Sequence, residues 1–84
     1  MKELEKTLKA LANRRRLAII AYLKRRGEAT VGSIANGIKL SFRATSKHLG
    51  VLASADIVEG EQRSVHVYYR LQPQQKIPAR AVIG

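Results

Sequence analysis

The chain has 84 residues and no cysteine, and 16 lysines and arginines against 6 acidic side chains give a formal net charge of +10. At this length one domain with a thin core is the ceiling, and disulfides, thiolate metal sites and thiol nucleophiles are excluded. The positive excess attracts polyanions, with nucleic acid and anionic membranes as the candidates.

Leu4, Leu8, Leu11 and Ala12 recur at helical spacing and predict a first helix with one apolar stripe. Asn13 is suited to end it and to cap a second. Leu17, Ile20, Ala21 and Leu23 give that second helix a broad apolar face, widened by Ile19 and Tyr22. Gly27 after Lys24-Arg25-Arg26 is a stop signal, and those cations suit the negative end of the helix dipole. Arg14-Arg15-Arg16 sit at the positive end and need another explanation.

Thr30 is placed to cap a short third helix, buried through Val31, Ile34, Ala35 and Ile38, with Gly37 expected to break it. Ser41 caps a fourth that runs to about Ser54. After Asp56 the period changes to alternation. Ile57 and Val58 begin a strand, Gly60 to Ser64 read as turn-like, and Val65, Val67, Tyr69 and Leu71 face one way with His66, Tyr68 and Arg70 on the other. The expected architecture is therefore mainly α with a small β-hairpin: four helices and a two-stranded wing in one domain, residues 1–71. Residues 72–84 hold two prolines without periodicity and are expected to form an irregular or mobile tail.

The order helix, helix, short helix, tight turn at Lys39-Leu40, helix, hairpin fits a winged helix-turn-helix, whose second motif helix enters the major groove of duplex DNA. On the fourth helix Thr45, His48, Leu49 and Leu52 form the core face, and Arg43, Ser46, Lys47 and Gly50 the opposite one. Arg43 can reach guanine O6 and N7, and Lys47 can do the same or hold a phosphate. Ser41 lies where helix N–H groups favour a phosphate oxygen. Phe42 is expected to pack under the turn, with contact to a thymine methyl as the other reading. Most of the charge lies elsewhere: residues 1–26 carry a net +7, residues 27–56 +1 and residues 57–84 +2.

From Leu8 to Leu71 the chain resembles the ArsR-type winged-helix regulators. The likeness rests on LKALANRRRLAII, LSFRATSKHLGVL and VHVYYRL. It implies a dimeric prokaryotic repressor in which Ser41, Arg43, Ser46 and Lys47 approach bases and backbone. It also implies that Gln62, Arg63 and Ser64 at the wing tip approach the adjacent minor groove or phosphates. The family's cysteine sensor at the start of the third helix is replaced here by EATVGSIA, and the usual last helix by a proline-containing segment. Neither known kind of metal site is therefore expected, and no cofactor.

Arg14 and Arg15 are expected on phosphates flanking the site. Arg16, at a position where the family usually has arginine, is expected to pair with Glu3 or Glu5 of its own or a partner chain. The Leu4, Leu8 and Leu11 stripe exceeds what a thin core needs, which points to a homodimer through the first helix. His48 reads as a hydrogen-bonded core histidine and His66 as an exposed strand residue. No nucleophile–base pair or phosphate-cradling loop suggests an enzyme. No apolar run approaches the roughly 20 residues of a membrane span, and MKELEKTLKALANRRR does not resemble a secretory signal. A soluble cytoplasmic protein without a membrane partner is expected. The competing readings are a winged-helix protein-interaction module and a non-specific nucleic-acid binder. Arg43 and Lys47 on the polar face weigh against the first, and the scarcity of aromatics against RNA stacking.

Overall fold

Local capping sets the helix boundaries in the computed structural model, which describes residues 2–73. Helix α1 (Lys2–Leu11) ends just before Asn13, whose side chain accepts from the backbone N–H of Arg15 and Arg16 and opens α2 (Arg14–Arg26). Gly27 closes α2 at φ 86°, a conformation in which a side chain is strained, and its N–H donates to the Leu23 carbonyl. Thr30 caps α3 (Val31–Ile38) by accepting from Ser33, and Ser41 caps α4 (Phe42–Ser54) by accepting from Ala44.

The β-hairpin wing forms as expected and is joined by a third strand. Strands β2 (Val58–Arg63) and β3 (His66–Leu71) pair antiparallel, and the short β1 (Glu28–Thr30) adds to the other edge of β3, giving the order β1-β3-β2. The segment from Gly60 to Arg63 is strand rather than turn, because each residue has a partner on β3. The chain reverses at Ser64-Val65 instead, with Ser64 at φ 58°, as expected for the first loop position of a two-residue hairpin. Val65 is accordingly in the turn and 83% exposed. The tail expected from residue 72 lies, from residue 74 onward, outside the described residues. Gln72 is tied to the domain by donating its N–H to the Ile57 carbonyl.

The core gathers Ile19 and Leu23 of α2, Ile34 of α3, Leu49 and Leu52 of α4, and Val58 of β2, each at most 1% exposed. Burying such an aliphatic side chain contributes about 1.5–3 kcal/mol, so these helices are held mainly by this cluster. The inward face of α2 is Ile19, Tyr22 and Leu23; Ala21 is exposed and Leu17 is 50% exposed. Gly37 does not break α3. It lies within the helix, where an added Cβ would stand 2.3 Å from Cε2 of Tyr22, so glycine lets the two helices approach. Helix α1 turns Thr7 and Ala10 inward and leaves Leu8 58% exposed. Among the described residues no helix is long and apolar enough to cross a membrane.

Candidate nucleic-acid interface

Helix α3 ends in a left-handed residue. Lys39 sits at φ 58°, ψ 50°, which lets the Leu40 N–H return to the Ala35 carbonyl at 3.0 Å. That closure turns the chain within Lys39, Leu40 and Ser41 and launches α4. On α4, Thr45, Leu49 and Leu52 are fully buried, and the Thr45 hydroxyl donates to the Ser41 carbonyl at 2.8 Å, so its burial costs no lost hydrogen bond. Inward anchoring of these residues turns Arg43, Ser46, Lys47 and Gly50 outward, all exposed as expected from their spacing. An added Cβ at Gly50 would meet nothing within 4 Å, which leaves room for close approach along that face.

Phe42 departs from expectation. It is 63% exposed instead of packed beneath the turn. The half-buried residue at this corner is Leu40, one position before the cap. Phe42 is the first residue of α4, and Ser46, its i+4 neighbour, is exposed as well.

Arg14 and Arg15 come together with a residue that sequence reasoning treated only as part of the turn. They line, with Ala18, Ile38, Lys39 and Leu40, a cleft of about 300 Å³ between the start of α2 and the α3–α4 turn. Among the described residues, three cations and no carboxylate line it. The available signal was a lysine in the connection between the motif helices, close to the arginine run only in space.

Arg16 departs from its neighbours. Within the chain it pairs with neither Glu3 nor Glu5. Its Nε donates to the Ala10 carbonyl at 2.7 Å, its Nη2 to the Lys9 carbonyl at 3.1 Å, and its Nη1 lies 3.3 Å from His48 Nδ1. These carbonyls close α1, so a cation there also suits the helix dipole. Burial holds the His48 imidazole below its ordinary pKa, and the charges of Arg16, Arg15 and Lys47 push the same way.

At the wing, Gln62, Arg63 and Ser64 are all exposed. Arg63 is nevertheless occupied: its guanidinium donates to both Glu28 oxygens and to Glu61, and stacks 4.9 Å from the Tyr68 ring centre. Arg70 joins Glu59 and Glu61 at 2.8 and 2.9 Å. Hydrogen bonding from Arg63 is the main reason that the Glu28 and Glu61 carboxyls lie below the usual carboxylate pKa. The outer sheet face thus balances its own charge, unlike the outward face of α4. Among the described residues no group of three or more His, Asp or Glu is arranged to hold a metal ion.

Residues 11–61 match the model of a family described as a helix-turn-helix domain. Several solved structures share the fold over nearly the whole chain. One is the homodimeric winged helix-turn-helix DNA-binding domain (fragment 1–100) of a possible ArsR-family transcriptional regulator from Mycobacterium bovis. It is 30% identical, with a TM-score of 0.82, and the match covers 98% of this chain and 75% of that one. HlyU from Vibrio cholerae is 32% identical, with a TM-score of 0.76 and coverage of 98% and 85%. The transcriptional repressor BigR from Xylella fastidiosa is 30% identical, with a TM-score of 0.75 and coverage of 98% and 81%. No curated protein matches the chain in sequence. Family and fold are those of DNA-binding regulators, not enzymes. With the turn, the anchored fourth helix and the wing in place, the chain belongs to the ArsR family of winged helix-turn-helix transcriptional regulators.

Proposed function

We propose that this chain is a sequence-specific, homodimeric repressor that reads an inverted repeat in duplex DNA with α4. The observation that carries this reading is the outward face of α4. Arg43, Ser46 and Lys47 are exposed on it beside Gly50, while the opposite face is fixed in the core. Such a face can enter a groove about 12 Å wide and donate to guanine and phosphate. Ser41 serves the adjacent backbone: its Oγ caps the helix, and its O–H remains able to donate to a phosphate.

Arg14 and Arg15 hold flanking phosphates, and Gln62, Arg63 and Ser64 approach the neighbouring minor groove or backbone. Leu8, 58% exposed on α1, supports pairing of two copies through the N-terminal helix. The Mycobacterium bovis relative is described as homodimeric. A twofold pair places its recognition helices about 34 Å apart, one turn of DNA, and so prefers an inverted repeat. With no cysteine in the sequence, this chain does not carry the family's usual thiolate metal site as its switch.

The test is selection of duplexes from a random pool at two salt concentrations. Enrichment of a defined inverted repeat at both supports the reading. Binding without enrichment that vanishes at moderate salt reduces it to non-specific electrostatics.

A further inference from the structure

We infer that Phe42 is a specificity-determining residue that reads the C5-methyl group of a thymine in the major groove. This rests on the reading of α4 as the recognition helix and names one base contact within it.

Phe42 is the first residue of α4, and the N-terminal residues of a recognition helix are the ones that meet base edges. The residue is 63% exposed, although a buried aromatic contributes strongly to stability. The half-buried position at this corner belongs to Leu40, so the fold leaves Phe42 outside. Its exposed sequence neighbours are polar or cationic: Arg43 is adjacent, Ser46 lies one turn along, and Lys39 stands two residues before the Ser41 cap. No Asp or Glu occurs between Lys39 and Ala55.

An apolar ring amid donors and cations does not match a phosphate, and it does not match an apolar protein surface either. It matches a groove that is anionic and polar yet carries an apolar group. Among the base edges of the major groove, thymine supplies that group as its methyl. Arg43 beside it supplies guanine recognition, so the pair points to adjacent or near-adjacent T and G positions in each half-site.

The experiment is a cycle of protein and DNA changes on the selected duplex. Deoxyuridine replaces each thymine in turn, removing only the methyl group. Wild-type protein is expected to lose about four-fold in affinity at one thymine per half-site, the worth of roughly 0.8 kcal/mol for one buried carbon. Phe42→Ala is expected to bind more weakly, to show no response to that replacement, and to lose the T preference at the same position when selection is repeated. Phe42→Leu should retain part of both. The exposed position predicts unchanged folding, checked by thermal melting.

Equal tolerance of deoxyuridine by wild type and Phe42→Ala at every thymine would overturn the inference. So would a Phe42→Ala consensus identical to that of wild type. Arg43→Ala separates this failure from failure of the parent reading. Loss of a G preference in Arg43→Ala, with no thymine effect at Phe42, keeps α4 as the reading helix and removes only the methyl contact. No enrichment with any variant removes both.

Discussion

Arg16 and His48 join the second helix to the recognition helix, with Arg16 Nη1 3.3 Å from His48 Nδ1. The guanidinium always donates, so Nδ1 must accept, and the imidazole in this arrangement is neutral. The same arginine holds the Lys9 and Ala10 carbonyls. One side chain therefore ties the end of α1, the start of α2 and the middle of α4. His48 adjoins Lys47, so this tie stands directly behind the proposed reading face.

A pH dependence follows. Folding lowers the His48 pKa through burial and the nearby cations, so the unfolded chain takes the proton first as pH falls. The stabilisation is complete above the unfolded value, about 6.5, and is lost as pH drops through the lower folded value. Thermal melting between about pH 7.5 and 5.5 stays above the carboxylate range, and the melting temperature is expected to fall with pH there. His48→Gln, which keeps an acceptor but cannot titrate, should flatten that slope. An equally steep slope in the variant would remove His48 as its source.

Glycine substitutions should split in sign. Replacing a helical glycine by alanine ordinarily gains about 0.5–1 kcal/mol. At Gly50 the added Cβ meets nothing within 4 Å, so Gly50→Ala should realise that gain. At Gly37 the same carbon would stand 2.3 Å from the Tyr22 ring. Overpacking of this kind costs about 1–3 kcal/mol, which exceeds the propensity gain. Gly37→Ala should be destabilised in urea unfolding, and the added Tyr22→Leu change should recover part of the loss.

What the sequence discloses divides along the same line of local against distant causes. Asn13, Thr30 and Ser41 cap helices through their own nearby N–H groups, so the boundaries are readable from spacing. The inward set Thr45, Leu49 and Leu52, and with it the outward Arg43, Ser46 and Lys47, follows from helical period. Strand β1 is three residues long and exists because Tyr68, Tyr69 and Arg70 pair with it, a cause some forty positions away. The Glu28–Arg63 contact spans 35 residues and is invisible to any window. The exposure of Phe42 is hidden from the sequence for a subtler reason. Leu40 and Phe42 both suit the apolar side of the turn, and only the tertiary arrangement decides that Leu40 takes it.

The wing offers a gain-of-function test. Glu28 and Glu61 engage the Arg63 guanidinium and offset its charge. This ion pair is solvent-exposed and screened, so Glu28→Gln should barely change stability. It should, however, loosen the hold on Arg63, leaving Glu61 as its remaining carboxylate, and remove a negative charge beside the wing. Affinity for duplex DNA is expected to rise and its dependence on salt to steepen. Arg63→Ala in the Glu28→Gln background should cancel the steepening if Arg63 makes the contact.

Pairing through α1 predicts a concentration-dependent change of mass. On α1, Leu8 is 58% exposed, with Leu4 and Leu11 half-buried on the same helix. Leu8→Lys should shift sedimentation toward monomer and reduce affinity for an inverted repeat far more than for a single half-site. Unchanged sedimentation would place the interface elsewhere.

Lys39 sets stability against binding at one position. A side chain in the left-handed region costs about 1–2 kcal/mol that glycine does not incur, and helices commonly end on glycine for that reason. Here the residue is lysine at φ 58°, lining one cleft with Arg14 and Arg15. Lys39→Gly should therefore melt at a higher temperature. If the cleft seats a backbone phosphate, the same variant should bind duplex DNA more weakly, equally for all sequences, with a salt slope smaller by about 1. Arg14→Ala with Arg15→Ala should act in the same sequence-independent way and flatten the slope further. A stabilised Lys39→Gly with an unchanged slope would assign the lysine no part in binding. A reduced slope with the base preferences kept would instead separate grip, which belongs to the cleft, from reading, which belongs to α4.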